Sequence, residues 1–277
     1  MSSQTLVAEI LPENYRFLQA QVYSQVGIVL ESNKNYLFES RLAPIVKQFS
    51  LGSINALCEL LLTKRNPEIG KQVVEAMTTN ETYFFRDPAQ YEVIRTVLLP
   101  KLMEERQATR KLRFWSAASS TGQEAFSLAM LLLEEGLKDW DIQILGTDFA
   151  SKVVERAQSG VYQQIEVNRG LPATLLLKYF RRSGMDWLLS EPVRRMARFE
   201  TIDLRQSMRT MGPFDLVFCR NVMIYFDTQT KRNIMKELHS TLFRGGWLLL
   251  GGAESAFGLD EWFDRKTVGN ITAYVAR

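Results

Sequence analysis

From about residue 112 to the end of the chain, apolar runs of strand length alternate with stretches of helical pattern. Strands are predicted at Leu112–Trp115 and Ile142–Gly146, and the helices that follow them at Ala125–Leu133 and Ser151–Gln158. The pattern continues with Phe199–Ile202, Leu216–Cys219, a helix at Thr228–Leu242 and the apolar run Trp247–Leu250. Alternation of this kind predicts βαβ units, and therefore a largely parallel sheet with helices on both faces.

The last two extended runs are arranged differently from the others. Phe263–Val268 and Ile271–Val275 are separated only by Gly269-Asn270, which leaves no room for a crossover helix. Gly-Asn is a typical hairpin connection. We therefore expect an antiparallel hairpin at the edge of the sheet.

The N-terminal part of the chain has a helical pattern and is predicted to be a separate domain, residues 1–75. Ser53 precedes a run with helical spacing, and Asn66-Pro67-Glu68 supplies an N-cap, a first-turn proline and an acidic first turn. Residues 76–111 are expected to form a linker segment and a helix. The α/β domain then spans 112–277, with an arginine-rich insertion at about 170–198.

Charge and rare residue types exclude several kinds of site. The formal net charge of +3, from 34 basic and 31 acidic residues, is too small to indicate nucleic-acid binding. With one histidine, His239, and two distant cysteines, Cys58 and Cys219, a zinc site of Cys and His ligands is excluded, and we expect no metal. No signal peptide and no apolar run near the roughly 18 residues of a membrane helix are found. We expect a cytoplasmic protein that is not membrane-embedded.

The loop after the first predicted strand, Ser116–Glu124, is a candidate ligand-binding loop. In an open α/β sheet, ligands bind at the carboxyl ends of the strands. The loop has one glycine, Gly122, and lacks the G-x-G-x-x-G spacing that makes room for a pyrophosphate at a helix N-terminus. Glu124 would repel a pyrophosphate. A ligand with hydroxyls or a positive charge and no phosphate fits this loop better.

Asp148, at the end of the second predicted strand, is a candidate for binding ribose hydroxyls. A carboxylate at this position can accept two charge-assisted hydrogen bonds from the two hydroxyls. It follows Gly122 by roughly 20 residues or slightly more, about the expected interval. The alternative is an N-cap for the helix that begins at Ser151. We favour cofactor binding because the loop and the acid occur together.

Two further segments carry polar residues at positions where packing does not require them. A buried strand runs directly into Arg220-Asn221 and then into Tyr225-Phe226. Asn221 can pair with an amino acid moiety or an adenine edge, and Tyr225 can line a reacting centre. Ahead of the α/β domain, Met77–Asp87 alternates polar residues with bulky aromatics, and its simplest interpretation is an interdomain linker.

Together these four segments resemble the chemoreceptor protein-glutamate methyltransferase family, CheR. The resemblance spans essentially the whole chain and includes a T-T-N-x-T-x-F-F-R segment and the strand end F-C-R-N-V-M-I-Y-F. It implies a Rossmann-like S-adenosylmethionine-dependent methyltransferase sheet, mostly parallel with an antiparallel edge strand. A small all-α domain would precede the sheet, and a small subdomain would be inserted in it. The implied activity is methyl transfer from S-adenosylmethionine to glutamate side-chain carboxylates of chemoreceptors.

Carried over residue by residue, the resemblance implies a set of cofactor contacts: Asn80, Thr82, Arg86, Glu124, Asp148, Asp203, Leu204, Arg220 and Asn221. It also implies that Arg86 and Tyr225 place the acceptor near the methyl group. A glutamate carboxylate, with a pKa of about 4.3, is already ionised at neutral pH, so no general base is needed. The product would be S-adenosylhomocysteine.

The resemblance further implies a partner, the cytoplasmic coiled-coil region of a chemoreceptor, docked on the N-terminal helices. Lys34 and Arg41 share a helix face, with Lys47 and Lys64-Arg65 as further basic candidates; the alternative is that these side chains are simply solvated. In some members the inserted subdomain captures a pentapeptide tether at the receptor's C-terminus. Here the insertion is shorter and has only Gly184 in place of a glycine-richer loop, so we expect a tether-independent member, and a monomer.

Three other functions are weighed against this one. A methyltransferase acting on a small molecule or nucleic acid would be expected to carry prolines after the fourth strand, and Asn221-Val-Met-Ile-Tyr225 has none. A nicotinamide dehydrogenase is disfavoured by the single-glycine loop. A non-catalytic module that senses S-adenosylmethionine stays open, although the presence of both Arg86 and Tyr225 counts against it.

Overall fold

The computed structural model describes residues 9–31, 34–63, 66–255 and 261–277, and these form two compact units. The first unit is the chain up to Thr79 together with Tyr225–Asp227. The second comprises Asn80–Ile224 and Thr228–Arg277.

The first unit is built on helices whose ends follow from local sequence. Its helices in the described residues are α1 (Pro12–Val26), α2 (Asn35–Gln48), α3 (Ile54–Leu62) and α4 (Pro67–Met77). The hydroxyl of Ser53 accepts the backbone N–H of Ala56, and the amide oxygen of Asn66 accepts that of Ile69, as the cap pattern predicts. Gly27, at φ 76°, ends α1 in the left-handed conformation that favours glycine.

A short, later stretch of chain also belongs to the first unit. Phe226 forms an isolated antiparallel bridge with Ile28, and the carbonyl of Tyr225 accepts the N–H of Val29 at 2.9 Å. The hydroxyl of Tyr23 donates to a carboxylate oxygen of Asp227 at 2.7 Å. Through these hydrogen bonds, Tyr225–Asp227 forms part of the first unit.

The second unit contains a large sheet and a small one. In the described residues its strands are β1 (Lys111–Ala117), β2 (Asp141–Asp148), β3 (Val161–Tyr162), β4 (Phe180–Ser183), β5 (Asp186–Leu189), β6 (Ala197–Thr201), β7 (Phe214–Cys219), β8 (Leu242–Leu250), β9 (Phe263–Val268) and β10 (Ile271–Ala276). The large sheet has the order β6-β2-β1-β7-β8-β10-β9. The pairs from β6 to β8 are parallel, and β10 pairs antiparallel with both β8 and β9. The predicted fold class, with its antiparallel edge hairpin, is confirmed.

Helices accompany both sheets of the second unit. In the described residues they are α5 (Pro88–Val93), α6 (Leu99–Glu105), α7 (Gln123–Glu134), α8 (Ser151–Ser159), α9 (Gln164–Val167), α10 (Ala173–Tyr179), α11 (Glu191–Arg194) and α12 (Thr228–Ser240). A π-helical turn, Ile94–Leu98, joins α5 to α6. Pro100 follows within the first turn of α6 and lacks an N–H, so one α-helical hydrogen bond cannot form there. All six residues of β7 are buried, as expected for a central strand covered on both faces.

The small sheet has the order β3-β5-β4 and is antiparallel throughout. It begins at Val161, earlier than the start of the arginine-rich insertion proposed from the sequence at about 170. Val161 pairs with Leu188, so β3 is tied to the same sheet as the residues of that insertion.

No helix in the described part of the chain is long and apolar enough to cross a membrane. The same residues contain no group of three or more His, Cys, Asp or Glu side chains that could hold a metal ion.

Candidate active site at the strand ends

The carboxyl ends of β1, β2, β7 and β8 lie side by side. Ala117 pairs with Thr147 on one side and with Cys219 on the other, and Cys219 pairs with Leu250. The chain runs from β1 outward to β2 and β6 and then returns to the opposite side of β1 with β7. A reversal of strand order is where open α/β sheets bind ligands.

The loop between β1 and α7 is held in a strained conformation at this point. Ala118 and Ser120 have positive φ values of 59° and 51°, which cost energy for residues with a side chain. Gly122, at φ 90°, starts α7, and a Cβ there would lie 2.9 Å from the Cβ of Ala157. A glycine is therefore required for the close approach of this loop to α8. Strain of this kind is concentrated at functional sites.

Asp148 fixes the same loop. Its carboxylate accepts the backbone N–H of Ser120 at 2.9 Å and that of Ala150 at 3.1 Å. Asp148 is 7% exposed. Ala150 is the N-cap residue of α8 and its backbone N–H binds Asp148, so the Asp148 carboxylate lies at the start of this helix, and its role in cofactor binding stays a prediction. Each oxygen of an ionised carboxylate has two lone pairs and can accept more than one hydrogen bond.

Arg220 is the centre of a buried ion-pair network that links two segments of the site. Its side chain is only 1% exposed, although it directly follows β7. One terminal nitrogen donates to Glu124 at 3.1 Å, and the other donates at 2.6 Å both to the carboxylate of Asp87 and to the carbonyl of Arg86. The guanidinium therefore connects the start of α7 to the segment that precedes α5.

Glu124 is the second member of this network and is 13% exposed. Its other carboxylate oxygen accepts the hydroxyl of Ser116 at 2.7 Å. Burial raises the pKa of Glu124, and the positive charge of Arg220 and the Ser116 hydroxyl oppose that rise without cancelling it. Burial lowers the pKa of Arg220, but Glu124, Tyr91 and Asp87 raise it by more, so the guanidinium stays charged.

Arg86 lies in the polar and aromatic segment that precedes α5. Its guanidinium is half-buried, donates to the carbonyl of Glu81 at 3.1 Å and lies 5.6 Å from the ring centroid of Tyr83. Arg169 packs over the same ring at 4.3 Å and pairs with Glu81 at 2.7 Å. Arg86 thus contacts the carbonyl of Glu81 and the ring of Tyr83. Among the described residues it forms no ion pair with an acidic side chain.

Asn80 and Thr82 lie at the start of this segment. The carbonyl of Asn80 accepts the hydroxyl of Ser120 at 2.7 Å, which brings the segment to the β1–α7 loop. Thr82 is half-buried. The structure thus places Asn80 beside the loop that Asp148 fixes.

Asp203 and Leu204 follow β6. Arg205 donates from its side chain to both carboxylate oxygens of Asp203, at 2.7 Å for the shortest bond, and its backbone N–H also binds Asp203. Leu204 is buried. The charge of the Asp203 carboxylate is thus balanced by Arg205. A direct role of Asp203 in holding a cofactor stays a prediction.

Asn221 has a positive φ of 56° at the turn after β7. Its side-chain oxygen is buried and has no hydrogen-bond partner in the described structure. Tyr225 belongs to the helical unit, where it is half-buried. Its proposed pairing with Arg86 stays a prediction.

Sequence reasoning missed several residues that organise the site: Ser116, Ser119, Ser120, Asp87 and Glu254. The serines lie in the loop already selected, but their small size gave no sign of specific hydrogen bonds. Glu254 follows the end of β8 after Gly251-Gly252-Ala253, so the rule that ligands bind at strand ends could have selected it.

A mostly parallel sheet that ends in an antiparallel hairpin, with a strained loop at the strand ends, is the architecture expected of an S-adenosylmethionine-dependent methyltransferase. The family model described as "CheR methyltransferase, SAM binding domain" matches residues 80–270, and "CheR methyltransferase, all-alpha domain" matches residues 13–78. The chain belongs to the CheR methyltransferase family, and it is an S-adenosylmethionine-dependent methyltransferase.

Relatives from other bacteria resemble the chain over most of its length. A "Chemotaxis protein methyltransferase" from Vibrio parahaemolyticus is 38% identical over 92% of this chain and 94% of its own. "Chemotaxis protein methyltransferase 1" from Pseudomonas aeruginosa is 39% identical over 86% of this chain and 88% of its own. Among solved structures, magnesium protoporphyrin IX methyltransferase from Synechocystis, with bound S-adenosylmethionine, aligns with a TM-score of 0.40 at 16% identity, over 72% of this chain and 87% of that one.

The strand-end residues fit a ligand rich in hydroxyl and amino groups. The side-chain oxygens of Asn221 and Ser119 are buried without a partner among the described residues, and such atoms are uncommon unless a ligand or water completes their bonding. Asp148 stands at the position that suits ribose hydroxyls. The acidic Glu124 at the start of α7 disfavours a phosphate. S-adenosylmethionine has hydroxyls, amino groups and a sulfonium charge, and no phosphate.

Proposed function

We propose that the chain transfers a methyl group from S-adenosylmethionine to glutamate side-chain carboxylates of chemoreceptors, in the cytoplasm, and forms glutamate methyl esters. The names of its relatives, chemotaxis protein methyltransferases, support a chemotactic role. The observation that carries the choice of a carboxylate acceptor is Arg86, a half-buried cation with no acidic partner among the described ion pairs. The charges of Glu81 and Glu124 act on Arg86 without forming an ion pair with it, and an acceptor carboxylate would supply a direct ion-pair partner.

The proposed acceptor needs no general base. A glutamate carboxylate is ionised above its usual pKa of about 4.3, so no proton has to be removed before it attacks. The acceptor oxygen would form a C–O bond to the methyl group that the cofactor supplies, and sulfur would leave with the electron pair of the broken S–C bond as a neutral thioether. The titratable groups of the site agree with this, because Glu124 is bound to Arg220 and Asp148 to backbone N–H groups.

The chain's own residues would bind and orient the two reactants. When bound, S-adenosylmethionine supplies an electrophilic methyl on a positively charged sulfur. Asp148 would accept the ribose hydroxyls, and Asn80, Thr82, Glu124, Asp203, Leu204, Arg220 and Asn221 would surround the rest of the cofactor. Arg220 would act mainly by holding the Arg86–Asp87 segment and Glu124 in place, because its two terminal nitrogens already donate to them.

Arg86 would attract and orient the acceptor, and Tyr225 would donate a hydrogen bond or shape the pocket. A full ion pair between Arg86 and the attacking oxygen would weaken the nucleophile. Orientation, which can lower a barrier by several kcal/mol, is therefore the role that we assign to Arg86.

Receptor docking on the N-terminal helices is proposed without Arg41 among the basic residues of the docking face. Arg41 donates to the carbonyls of Met77 and Thr78, at the end of α4, and to the hydroxyl of Thr79, so it supports the helical unit from within. Lys34 pairs with Glu31 at 3.3 Å. Lys47 is exposed, whereas Lys64-Arg65 lies outside the described residues.

The decisive experiment measures transfer of labelled methyl from S-adenosylmethionine to chemoreceptors in membranes, with and without a receptor C-terminal tail. We expect base-labile methyl esters on receptor glutamates, and equal rates for both receptors if the chain is tether-independent. Binding of S-adenosylmethionine without any transfer to any receptor would favour the sensing module. A rate that depends on the tail would contradict tether independence alone.

A further inference from the structure

Glu254, just beyond β8, has an unusual set of hydrogen-bond donors. One of its carboxylate oxygens accepts the backbone N–H of Asn221 at 2.7 Å and that of Gly251 at 2.8 Å. The other accepts the N–H of Ile224 at 3.3 Å. One side chain thus binds three backbone donors, two of them from the turn after β7 and one from the end of β8.

The turn after β7 is the segment that this carboxylate supports. Asn221 is in the left-handed region at φ 56°, which costs some free energy, although less for Asn than for most residues with a side chain. A carboxylate that accepts the N–H of Asn221 offsets part of that cost, because hydrogen bonds to charged acceptors are stronger than neutral ones. The conformation determines where the buried, unpartnered side-chain oxygen of Asn221 lies.

Gly251 shows that this arrangement is closely packed. A Cβ at Gly251 would lie 2.7 Å from the side-chain nitrogen of Asn221 and 2.8 Å from a carboxylate oxygen of Glu254. Both distances are too short for real contacts. Glycine at this position therefore allows β8, Glu254 and Asn221 to meet at one point.

We propose that Glu254 is a positioning residue for cofactor binding, which acts by holding Asn221 in the conformation that directs its side-chain oxygen toward the ligand. The proposal rests on the proposed function only in taking Asn221 as a cofactor contact. Glu254 itself need not touch the cofactor. Its effect on binding is transmitted through the backbone of the turn.

The test variant replaces one carboxylate oxygen of Glu254, a hydrogen-bond acceptor, by an amide NH₂ donor and keeps the size of the side chain. In Glu254→Gln the amide oxygen can still accept at one of the two oxygen positions, but the NH₂ group at the other position faces a backbone N–H and cannot accept a hydrogen bond from it, and the negative charge is lost from all three bonds. We expect the Kd for S-adenosylhomocysteine, measured by calorimetry on the full chain, to rise about tenfold, equivalent to about 1.4 kcal/mol. The KM for the receptor should change by less than about twofold. Glu254→Asp, which keeps an acceptor-only carboxylate, should recover part of the affinity.

The matched control is Glu237, a half-buried glutamate that accepts one backbone N–H, from Met208 at 2.9 Å, away from the strand-end site. Glu237→Gln should leave the Kd unchanged, even if it lowers the unfolding midpoint. This control separates loss of a carboxylate–backbone bond in general from loss of the bonds at Asn221.

A double-mutant cycle with Asn221→Gly tests whether Glu254 acts through Asn221. Glycine tolerates the positive φ and removes the side-chain oxygen. We expect Glu254→Gln to change the Kd by less than about twofold in the Asn221→Gly background. A full tenfold effect in that background, or an unchanged Kd in folded Glu254→Gln, would overturn the proposal.

If the unmutated chain did not bind S-adenosylhomocysteine, the failure would lie with the cofactor site as a whole. If Glu254→Gln failed to fold, Glu254→Asp would take its place in the same cycle.

Discussion

Strand β7 carries an ion pair at each of its ends. At its start, Asp215 is 1% exposed and accepts a hydrogen bond from Arg106 at 2.7 Å. Just beyond its end, the side chain of Arg220, also 1% exposed, donates to Asp87 at 2.6 Å and to Glu124 at 3.1 Å. The two ends are alike in burial and in distance. Neither property can therefore identify the functional end by itself.

The surroundings of the two pairs differ. Asp215 also accepts the backbone N–H of Arg113, and Arg106 packs 3.8 Å from the ring centroid of Phe243, so this pair fastens the sheet at its amino end. Around Arg220, Asn221 and two residues of the β1–α7 loop have positive φ values, and the buried side-chain oxygens of Asn221 and Ser119 have no partner among the described residues. Towards the amino end of the sheet the positive φ is that of the exposed Arg110, and the unpartnered buried atom is the indole nitrogen of Trp247. Buried charge supports the fold at one end of β7 and organises a ligand site at the other.

The largest effects are expected when each pair is broken in turn. Arg220→Met leaves Glu124 and Asp87 without their cation, so we expect it to lower the free energy of unfolding by about 3–5 kcal/mol. Methyl transfer should fall by at least about 100-fold in the fraction that folds. Unfolding in urea and labelled-methyl transfer measure the two effects.

Arg106→Met is the matched variant at the other end of the strand. It should lower the free energy of unfolding by about 3 kcal/mol, because Asp215 stays buried with fewer partners. Methyl transfer by the folded fraction should stay within about threefold of the unmutated rate, because no site residue contacts this pair. Equal losses of transfer in both folded variants would show that the comparison between the two ends is wrong.

A smaller effect is expected at Arg86, which lies beside the Arg220 network and has no buried acidic partner. Arg86→Ala should lower kcat by about 100-fold with little change in the unfolding midpoint, because the side chain makes a single hydrogen bond to Glu81. Tyr225→Phe, which removes one hydroxyl, should lower kcat about tenfold. Labelled-methyl transfer at saturating S-adenosylmethionine measures both.

Arg169 provides the control for Arg86, because both arginines pack on the Tyr83 ring. Arg169→Ala removes an exposed ion pair with Glu81 and should leave kcat within about threefold. Undiminished turnover in both Arg86→Ala and Tyr225→Phe would refute the proposed acceptor site.

The sheet could be predicted from the sequence because its strands are apolar runs separated by helices of clear period. The edge hairpin could be predicted because Gly269-Asn270 leaves no other connection. The small sheet was harder to delimit, because β3 is two residues long and depends on pairing with β5, a contact that periodicity does not reveal. Local patterns thus determine the long elements, and non-local pairing determines the short ones.

For the candidate site, the sequence indicated which segments meet but not how their side chains are shared. Arg220 and Glu124 were both selected as cofactor contacts, and the structure shows that they bind each other. Asp87 binds the side chain of Arg220, and Glu254 binds the backbone N–H of Asn221. In both contacts the two residues are far apart in the chain. Pairings of this kind depend on the three-dimensional approach of loops, which strand-end rules do not specify.

The smallest of the expected effects concerns the pH dependence of stability at the functional end of β7. Because burial raises the pKa of Glu124 in the folded chain, the folded state holds a proton over a range in which the unfolded state, with a pKa of about 4.3, has lost it. The contribution of this group to the free energy of unfolding is complete below about pH 4.3 and declines as the pH rises through the folded pKa. The decline cannot exceed about 1.4 kcal/mol per pH unit for one proton.

Glu124→Gln removes this titration while keeping the size of the side chain. The difference in free energy of unfolding between the unmutated chain and Glu124→Gln should therefore fall as the pH rises above about 4.3, when both are measured in urea at a series of pH values. Glu237→Gln, measured alongside, controls for loss of a glutamate elsewhere. A difference that increased with pH would mean that pairing with Arg220 outweighs burial, and Glu124 would then resemble an ordinary ion-pair acid.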